Sequence, residues 1–253
     1  MTDQRTLAHI NLYAVLGALE NLCELDGEAK ALLAGKKPIS IGISVKGGPS
    51  GTLTFKNQKC RLDDGCRPDC TVKLPFSSCE KFNGLFDGTT TPIPSKGFLQ
   101  IGFLLKVFVP LTDILSKYLR PEPADMEDAE FFKISTILTM YVAAVAIAQI
   151  GNQDEIGRFS ASQMMDGDIQ MGVKGGPYAT IRVRNNRLVV IKKKPDNPRA
   201  LMEFASLELA AKLFSGEVNA LACIGNGEIV MGGMLSIIDN VNRILDRVAL
   251  YLA

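Results

Sequence analysis

Val45-Lys46-Gly47-Gly48-Pro49 and Val173-Lys174-Gly175-Gly176-Pro177 are one pentapeptide written twice, 128 residues apart in a chain of 253. Two glycines and a proline recur easily by chance, so the flanks decide. They hold the same offset: Tyr13 answers Tyr141 inside an apolar helical pattern, and Leu85-Phe86-Asp87-Gly88 answers Leu213-Phe214-Ser215-Gly216. Farther along the offset becomes 130, where Gly97 to Gly102 meets Gly227 to Gly232, as a two-residue insertion requires. The chain therefore reads as a duplication, and each half must carry the same elements in the same order. The halves, 1–124 and 125–253, are each near the commonest domain size and large enough to bury a core. Between them runs Arg120-Pro-Glu-Pro-Ala-Asp-Met-Glu-Asp-Ala-Glu130, an acidic, proline-punctuated linker.

Working outward from the pentapeptide, Ile39 to Val45 alternates apolar with small or polar residues, the period-two mark of a half-buried strand. The glycine pair turns the chain, Thr52 to Lys56 alternates again, and Lys59 to Leu62 continues past a turn near Asn57. The second copy repeats this three-strand meander at Asp168–Val173, Ala179–Arg184 and Arg187–Ile191, with Asn185-Asn186 at the turn. Short apolar strands follow at Cys70–Leu74 and Ala200–Phe204. Each leads into a short helix with a serine suited to capping it, Ser77 or Ser78 and then Ser206. The opening helices cover Leu7 to Leu25 and Phe131 to Ile150, and further helical pieces are expected at Glu28–Ala34 and Asp154–Met165. The last third of each copy is expected to begin with a strand, Phe98–Phe103 or Glu228–Gly233, and to end in a helix, Leu104–Leu119 or Met234–Leu252. Pro110 kinks or restarts the first of these helices.

Composition sets limits on function. The chain is 47% hydrophobic and 22% charged with net charge +1, an ordinary globular balance that argues against coating nucleic acid. The halves differ only mildly, by +3 and −2. Met1 to Arg5 includes an acid and no apolar core follows, so a secretory signal is not expected and a cytoplasmic location is. Ile134 to Gln153 is uncharged and just long enough to span a bilayer. Its first-copy counterpart, Leu7 to Leu25, is interrupted by His9, Asn11, Glu20, Asn21 and Glu24, which favours a buried helix instead.

Of six cysteines, Cys60, Cys66, Cys70 and Cys79 fall within twenty residues, but their spacing lacks the close pairs of zinc knuckles and the sole histidine is the distant His9. Buried thiols in a reducing compartment are the reading preferred over a redox or metal protein using this Cys60–Cys79 cluster. The glycine pairs lack the Gly-Lys-Ser/Thr ending of a phosphate loop and are turns. No recognisable catalytic set stands out, so the expectation is no enzyme. Lys192-Lys193-Lys194, with Arg182, Arg184, Arg187 and Arg199, is the main basic concentration; it suits a solvated sheet face, or docking on anionic lipid heads, and lacks the interleaved aromatics of a nucleic-acid site.

Helix, three-strand meander, strand, short helix closing on Phe-x-Gly, then Gly-x-hydrophobic-x-x-Gly and an apolar terminal helix: this order resembles the sterol carrier protein domain family in both copies. The resemblance is carried by Phe86-Asp87-Gly88 with Lys96-Gly97-Phe98-Leu99-Gln100-Ile101-Gly102, and by Phe214-Ser215-Gly216 with Asn226-Gly227-Glu228-Ile229-Val230-Met231-Gly232. Phe98 and Glu228 depart from a usual basic residue, and Phe103 and Gly233 from a usual small polar one. The resemblance implies an α+β fold of two tandem domains, each a five-stranded mixed sheet covered by helices around an apolar cavity. It also implies non-catalytic binding and transfer of a fatty acid, sterol-like or other lipid, with no cofactor and no metal.

The residues expected to line such cavities are Leu16, Phe103, Leu104, Val107, Phe108 and Leu111 in the first copy, and Met231, Met234, Leu235, Ile238 and Val241 in the second. Tyr13 and Tyr141 are placed to orient a ligand head group. Each of these residues can equally serve as plain core or domain interface. The partners expected are an apolar small molecule or lipid and, transiently, a membrane surface. A structural module whose surplus apolar surface binds its twin or another protein is the competing reading.

Overall fold

A computed structural model describes residues 2 to 252, apart from the side chain of Leu221. The chain divides into two units, Met1–Ile134 and Ser135–Ala253. In the first, a helical run opens with α1 (Gln4–His9), continues through a π-helical turn (Ile10–Val15) and a 3-10 turn (Leu16–Ala18), and ends as α2 (Leu19–Leu25). Asp3 caps its start, accepting from the Arg5 and Thr6 amides. Asp26 then caps α3 (Gly27–Leu33) through the Ala29 amide.

Strands β1 (Ile39–Val45), β2 (Ser50–Lys56), β3 (Lys59–Asp64) and β4 (Val72–Phe76) form a mixed sheet in the order β3-β2-β1-β4. β1 runs antiparallel to β2 and parallel to β4. Ser78 caps α4 (Cys79–Asn83). After a loop, Phe98–Gln100 makes a 3-10 turn, α5 (Ile101–Phe103) passes into a second π-helical turn (Leu104–Phe108), and α6 (Val109–Leu119) completes a continuous run of 22 residues. Pro110 falls inside this continuous run, directly after the second π-helical turn, and has no amide to donate back into it.

The linker leads into α7 (Ala129–Gln153), whose first turns belong to the first unit. The second unit continues with α8 (Glu155–Ser162), β5 (Gly167–Val173), β6 (Tyr178–Arg184), β7 (Arg187–Ile191), β8 (Ala200–Phe204), α9 (Leu207–Phe214), α10 (Ala220–Gly225), β9 (Ile229–Gly233) and α11 (Leu235–Leu252). Its sheet has five strands ordered β7-β6-β5-β8-β9, with β5 and β8 parallel and the other pairs antiparallel.

The fold is α+β with two mixed sheets. The duplication is visible in the hydrogen bonds. Val45 N donates to Pro49 O and Val173 N to Pro177 O, both at 3.0 Å, and Gly47 and Gly175 take left-handed φ of 73° and 71°. The lysine inside each turn donates to the end of the parallel strand, Lys46 to Phe76 O and Lys174 to Phe204 O. A left-handed turn whose lysine amide is also tied to the parallel strand fixes the register of three strands at once.

One expectation needs correction. Phe98–Phe103 is helical where a strand was expected, so the first sheet has four strands and only an isolated bridge, Lys73 to Lys96, marks the place of a fifth. The break between strand and helix is made at an earlier residue in the first copy than the 130-residue offset implies. In the second unit Gly233 ends β9 with φ of +97°, a Cβ there would meet Arg199 O at 2.2 Å, and the next amide, Met234 N, donates to that same carbonyl. The counterpart of Gly233 in the first unit is Gly97, with φ of +86° and the place of a Cβ 2.5 Å from the carbonyl oxygen of Thr71, the residue 128 positions before Arg199. The stretch before Gly97 runs through Pro92 and Pro94, which have no amide to donate, so pairing shrinks to the Lys73–Lys96 bridge and the helix begins at Phe98.

Two helices, Phe98–Leu119 and Ala129–Gln153, are long and apolar enough to cross a membrane by length and composition. The second is 67% buried over its most apolar window, as expected of a core helix, whereas the first is only 22% buried.

Candidate functional site

The inner face of β2 organises the expected ligand wall of the first unit. Gly51, Leu53 and Phe55 alternate onto one face. At Gly51 that face meets Leu12 from the first π-helical turn, whose Cδ2 would lie 3.3 Å from an added Cβ. Phe55, four residues along and hence roughly 13 Å away, meets Phe103 and Phe108 with ring centroids 5.6 and 6.2 Å apart, the latter edge-on. Leu53 between them is fully buried. Both π-helical turns therefore sit over the same strand face, and they carry Tyr13, Leu104, Val107 and Phe108, with Leu16 and Phe103 immediately adjacent. Leu16, Val107, Phe108 and Leu111 are buried, and Phe103 and Leu104 half-buried.

Tyr13 does not offer a free hydroxyl. It donates to the Asp64 carboxylate, with Ser50 O 2.8 Å away. Burial, and then Asp64, push its pKa well above the usual phenol range. It ties the π-helical turn to the far end of the β2-β3 hairpin. Tyr141 is half-buried with the Lys192 ammonium 5.8 Å from its ring centroid.

The second set of expected residues is dispersed by the strand that the first copy lacks. Met231 stands in β9 opposite Met202, and Met234 lies in the link to α11 with its sulfur 3.9 Å from Arg199 Nη1. Leu235 projects from the start of α11 at 81% exposure, Ile238 is half-buried and Val241 is buried. The expected residues thus lie on one helical run in the first unit and on a strand, a link and a helix in the second.

A separate concavity of about 520 Å³ in the first unit is lined by Asp26, Lys117, Tyr118, Asp125, Asp128 and Phe131, among others, and is polar and open. Lys117 is 2.9 Å from Asp125 and Tyr118 stacks on Phe131 at 4.4 Å. Its carboxylates make it unlike a hydrocarbon pocket.

The cysteine cluster does not converge. Cys66 and Cys70 both lie against Gly42 of β1, each sulfur 2.7 Å from the place of a Cβ there, but Cys79 lies instead against Gly48 and Cys60 stands in β3 opposite Phe55. Among the described residues no group of three or more His, Cys, Asp and Glu could hold a metal ion. Burial, and then Cys70, push the Cys66 thiol up, while burial and then Glu80 do the same at Cys79. Alkylation of the native protein at neutral pH should accordingly be slow at Cys66 and Cys79 and accelerate only in alkali. Peptide mapping by mass spectrometry checks this, and rapid neutral labelling of Cys66 would contradict it.

A repeated buried contact escaped the sequence reading. Asp26 accepts from Tyr118 Oη at 2.9 Å, and Asp154, again 128 residues on, accepts from Tyr251 Oη at 2.8 Å. Each aspartate caps a helix and holds the terminal helix of its unit. The shared offset of 128 between the aspartates was the available signal.

No family model and no curated protein matches this chain. Among solved structures it is similar to the sterol carrier protein domain 2 of Helicoverpa armigera, at 16% identity over 44% of this chain and 87% of that one, with a TM-score of 0.36. It is also similar to a structure described as UbiJ-SCP2 ubiquinone synthesis protein, at 13% identity over 45% and 93%, TM-score 0.34. A third is sterol carrier protein 2 from Yarrowia lipolytica in its apo form, at 16% identity over 40% and 92%, TM-score 0.31. Each match takes in less than half of this chain.

Proposed function

We propose that this chain is a non-catalytic binder of a hydrophobic ligand, a fatty acid, sterol-like molecule or other lipid, held in the first unit between the inner face of β2 and the helical segment 98–108. The observation that carries the reading is the coincidence of both π-helical turns with that wall. Such turns are uncommon and occur mostly at functional sites, because the extra residue weakens the local ladder and redirects side chains. The wall is aromatic and aliphatic, as burial of a hydrocarbon requires. Phe103 and Phe108 touch Phe55, so access requires segment 98–108 to lift from the sheet. Transfer of the bound ligand, a cytoplasmic location and the division of the chain near Ala124 belong to the same proposal.

Native mass spectrometry of the purified protein should find an apolar molecule, and a fluorescent fatty acid should bind and be displaced by unlabelled lipid. Phe108→Ala removes part of the wall and should lower affinity about tenfold, the equivalent of about 1.4 kcal/mol. Absence of any retained or displaceable apolar ligand would end the proposal.

A further inference from the structure

We propose that the outer face of the segment from Ile93 to Val109 is a docking surface for an anionic lipid bilayer. This goes beyond ligand binding at the wall beneath it and holds whether or not a lipid is carried there.

The segment is apolar on both faces. Its inner face spends Phe103, Val107 and Phe108 on the first sheet. Its outer face presents Phe98, Ile101, Leu105 and Val109 at helical spacing, with Ile93 and Leu99 at the head of the run. All six are exposed, Leu99 to 97% and Leu105 to 64%. Single exposed leucines are ordinary, but a continuous stripe of this length is not. From Phe98 to Val109 it runs roughly 18 Å at 1.5 Å per residue, the scale of a helix lying in a membrane interface.

Charge selects the occupant. Between Asp87 and Asp113 the sequence holds no carboxylate, and its charges are Lys96 and Lys106, both exposed. The bridge between Lys73 and Lys96 brings a third lysine to the head of the stripe. None of the three is in salt-bridge distance of a carboxylate among the described residues. Lysines beside an exposed apolar stripe complement lipid phosphates: the stems lie along the hydrocarbon and the ammonium groups reach the headgroups. A second copy of the same surface would set lysine against lysine, so self-association through this face is disfavoured.

The test uses the full chain and vesicles of phosphatidylcholine with or without phosphatidylglycerol, read by co-sedimentation. The protein should bind the anionic vesicles, and high salt should weaken binding. Leu99→Asp with Leu105→Asp should reduce binding more than tenfold, and Lys96→Gln with Lys106→Gln should cost about thirtyfold, from roughly 1 kcal/mol per lysine. Both pairs lie on the surface, and circular dichroism confirms that each variant folds. Phe108→Ala separates the two readings: it should weaken fatty-acid displacement and leave vesicle binding intact. Undiminished binding by the Leu99→Asp, Leu105→Asp protein overturns the proposal. So does failure of the wild type to bind anionic vesicles, including the case where it self-associates through this face instead.

Discussion

Replacing Asp154 by alanine is expected to destabilise the second unit by about 3–5 kcal/mol, the range for leaving one member of a buried ion pair alone. Asp154 is buried and does three tasks at once. It accepts from Gly157 N at 2.9 Å as the cap of α8, from Tyr251 Oη at 2.8 Å, and from Arg247 Nη2 at 2.8 Å, with Arg247 Nε 2.7 Å from its other oxygen. Without the carboxylate, α8 loses its cap, a tyrosine hydroxyl loses its acceptor, and a mostly buried guanidinium is stranded. The duplication supplies an internal control. Asp26 also caps a helix and accepts from a tyrosine, but four residues before Tyr118 stands Ile114, where Arg247 stands four before Tyr251. Asp26→Ala should therefore cost less, about 1–2 kcal/mol.

The two units can be followed separately by hydrogen exchange of α3 and α6 against α8 and α11; the chain has no tryptophan to report unfolding. Equal losses from the two substitutions would contradict the role given to Arg247. Acid should separate wild type from variant as well. Burial pushes the Asp154 carboxyl up, but hydrogen bonds from Arg247, Gly157 and Tyr251 outweigh it and hold the group below its ordinary 3.8. Its contribution is complete above that value and is lost as pH falls through the lower folded value, so Asp154→Ala should flatten the acid limb of the second unit's stability curve.

Gly233→Ala is the second large effect expected. The left-handed conformation at φ of +97° costs a residue with a side chain about 1–3 kcal/mol, and the added Cβ would stand 2.2 Å from the Arg199 carbonyl oxygen, a backbone atom without a rotamer to yield. The outcome should be release of β9 from β8, seen as lost exchange protection across the Leu201–Gly232 and Glu203–Val230 pairs while β5, β6 and β7 keep theirs. Gly232→Ala, one residue away, meets only side-chain atoms of Leu201 at 3.6 Å or more and should leave β9 in place. If both substitutions behave alike, the role given to the left-handed turn at Gly233 in ending β9 fails.

Much of this architecture could be read from residues close together in the chain. The pentapeptide turns, the meander strands, the Ser78 and Ser206 caps and the place of Pro110 all depend on local φ, local alternation and groups within a few residues of one another. The Phe98–Phe103 stretch misled because its hydrophobic pattern serves a strand or a helix equally, and because the 130-residue offset set it against β9 where the backbone sets Gly97 against Gly233. The ligand wall was legible as a set of apolar residues but not as a surface. Nothing in the spacing showed that two π-helical turns would meet one face of β2, or that Tyr13 would commit its hydroxyl to Asp64.

By itself the amino-acid sequence determined that the chain is a duplicated α+β protein, because turn glycines, caps and hydrophobic periods act over a handful of residues and repeat with the copy. Only the tertiary structure decided which cysteines meet, which aspartate gains an arginine, and that one leucine-rich segment keeps an apolar face toward solvent. Those outcomes depend on residues far apart in the chain arriving at the same place, and burial or exposure is a property of the packed neighbours and not of the segment alone.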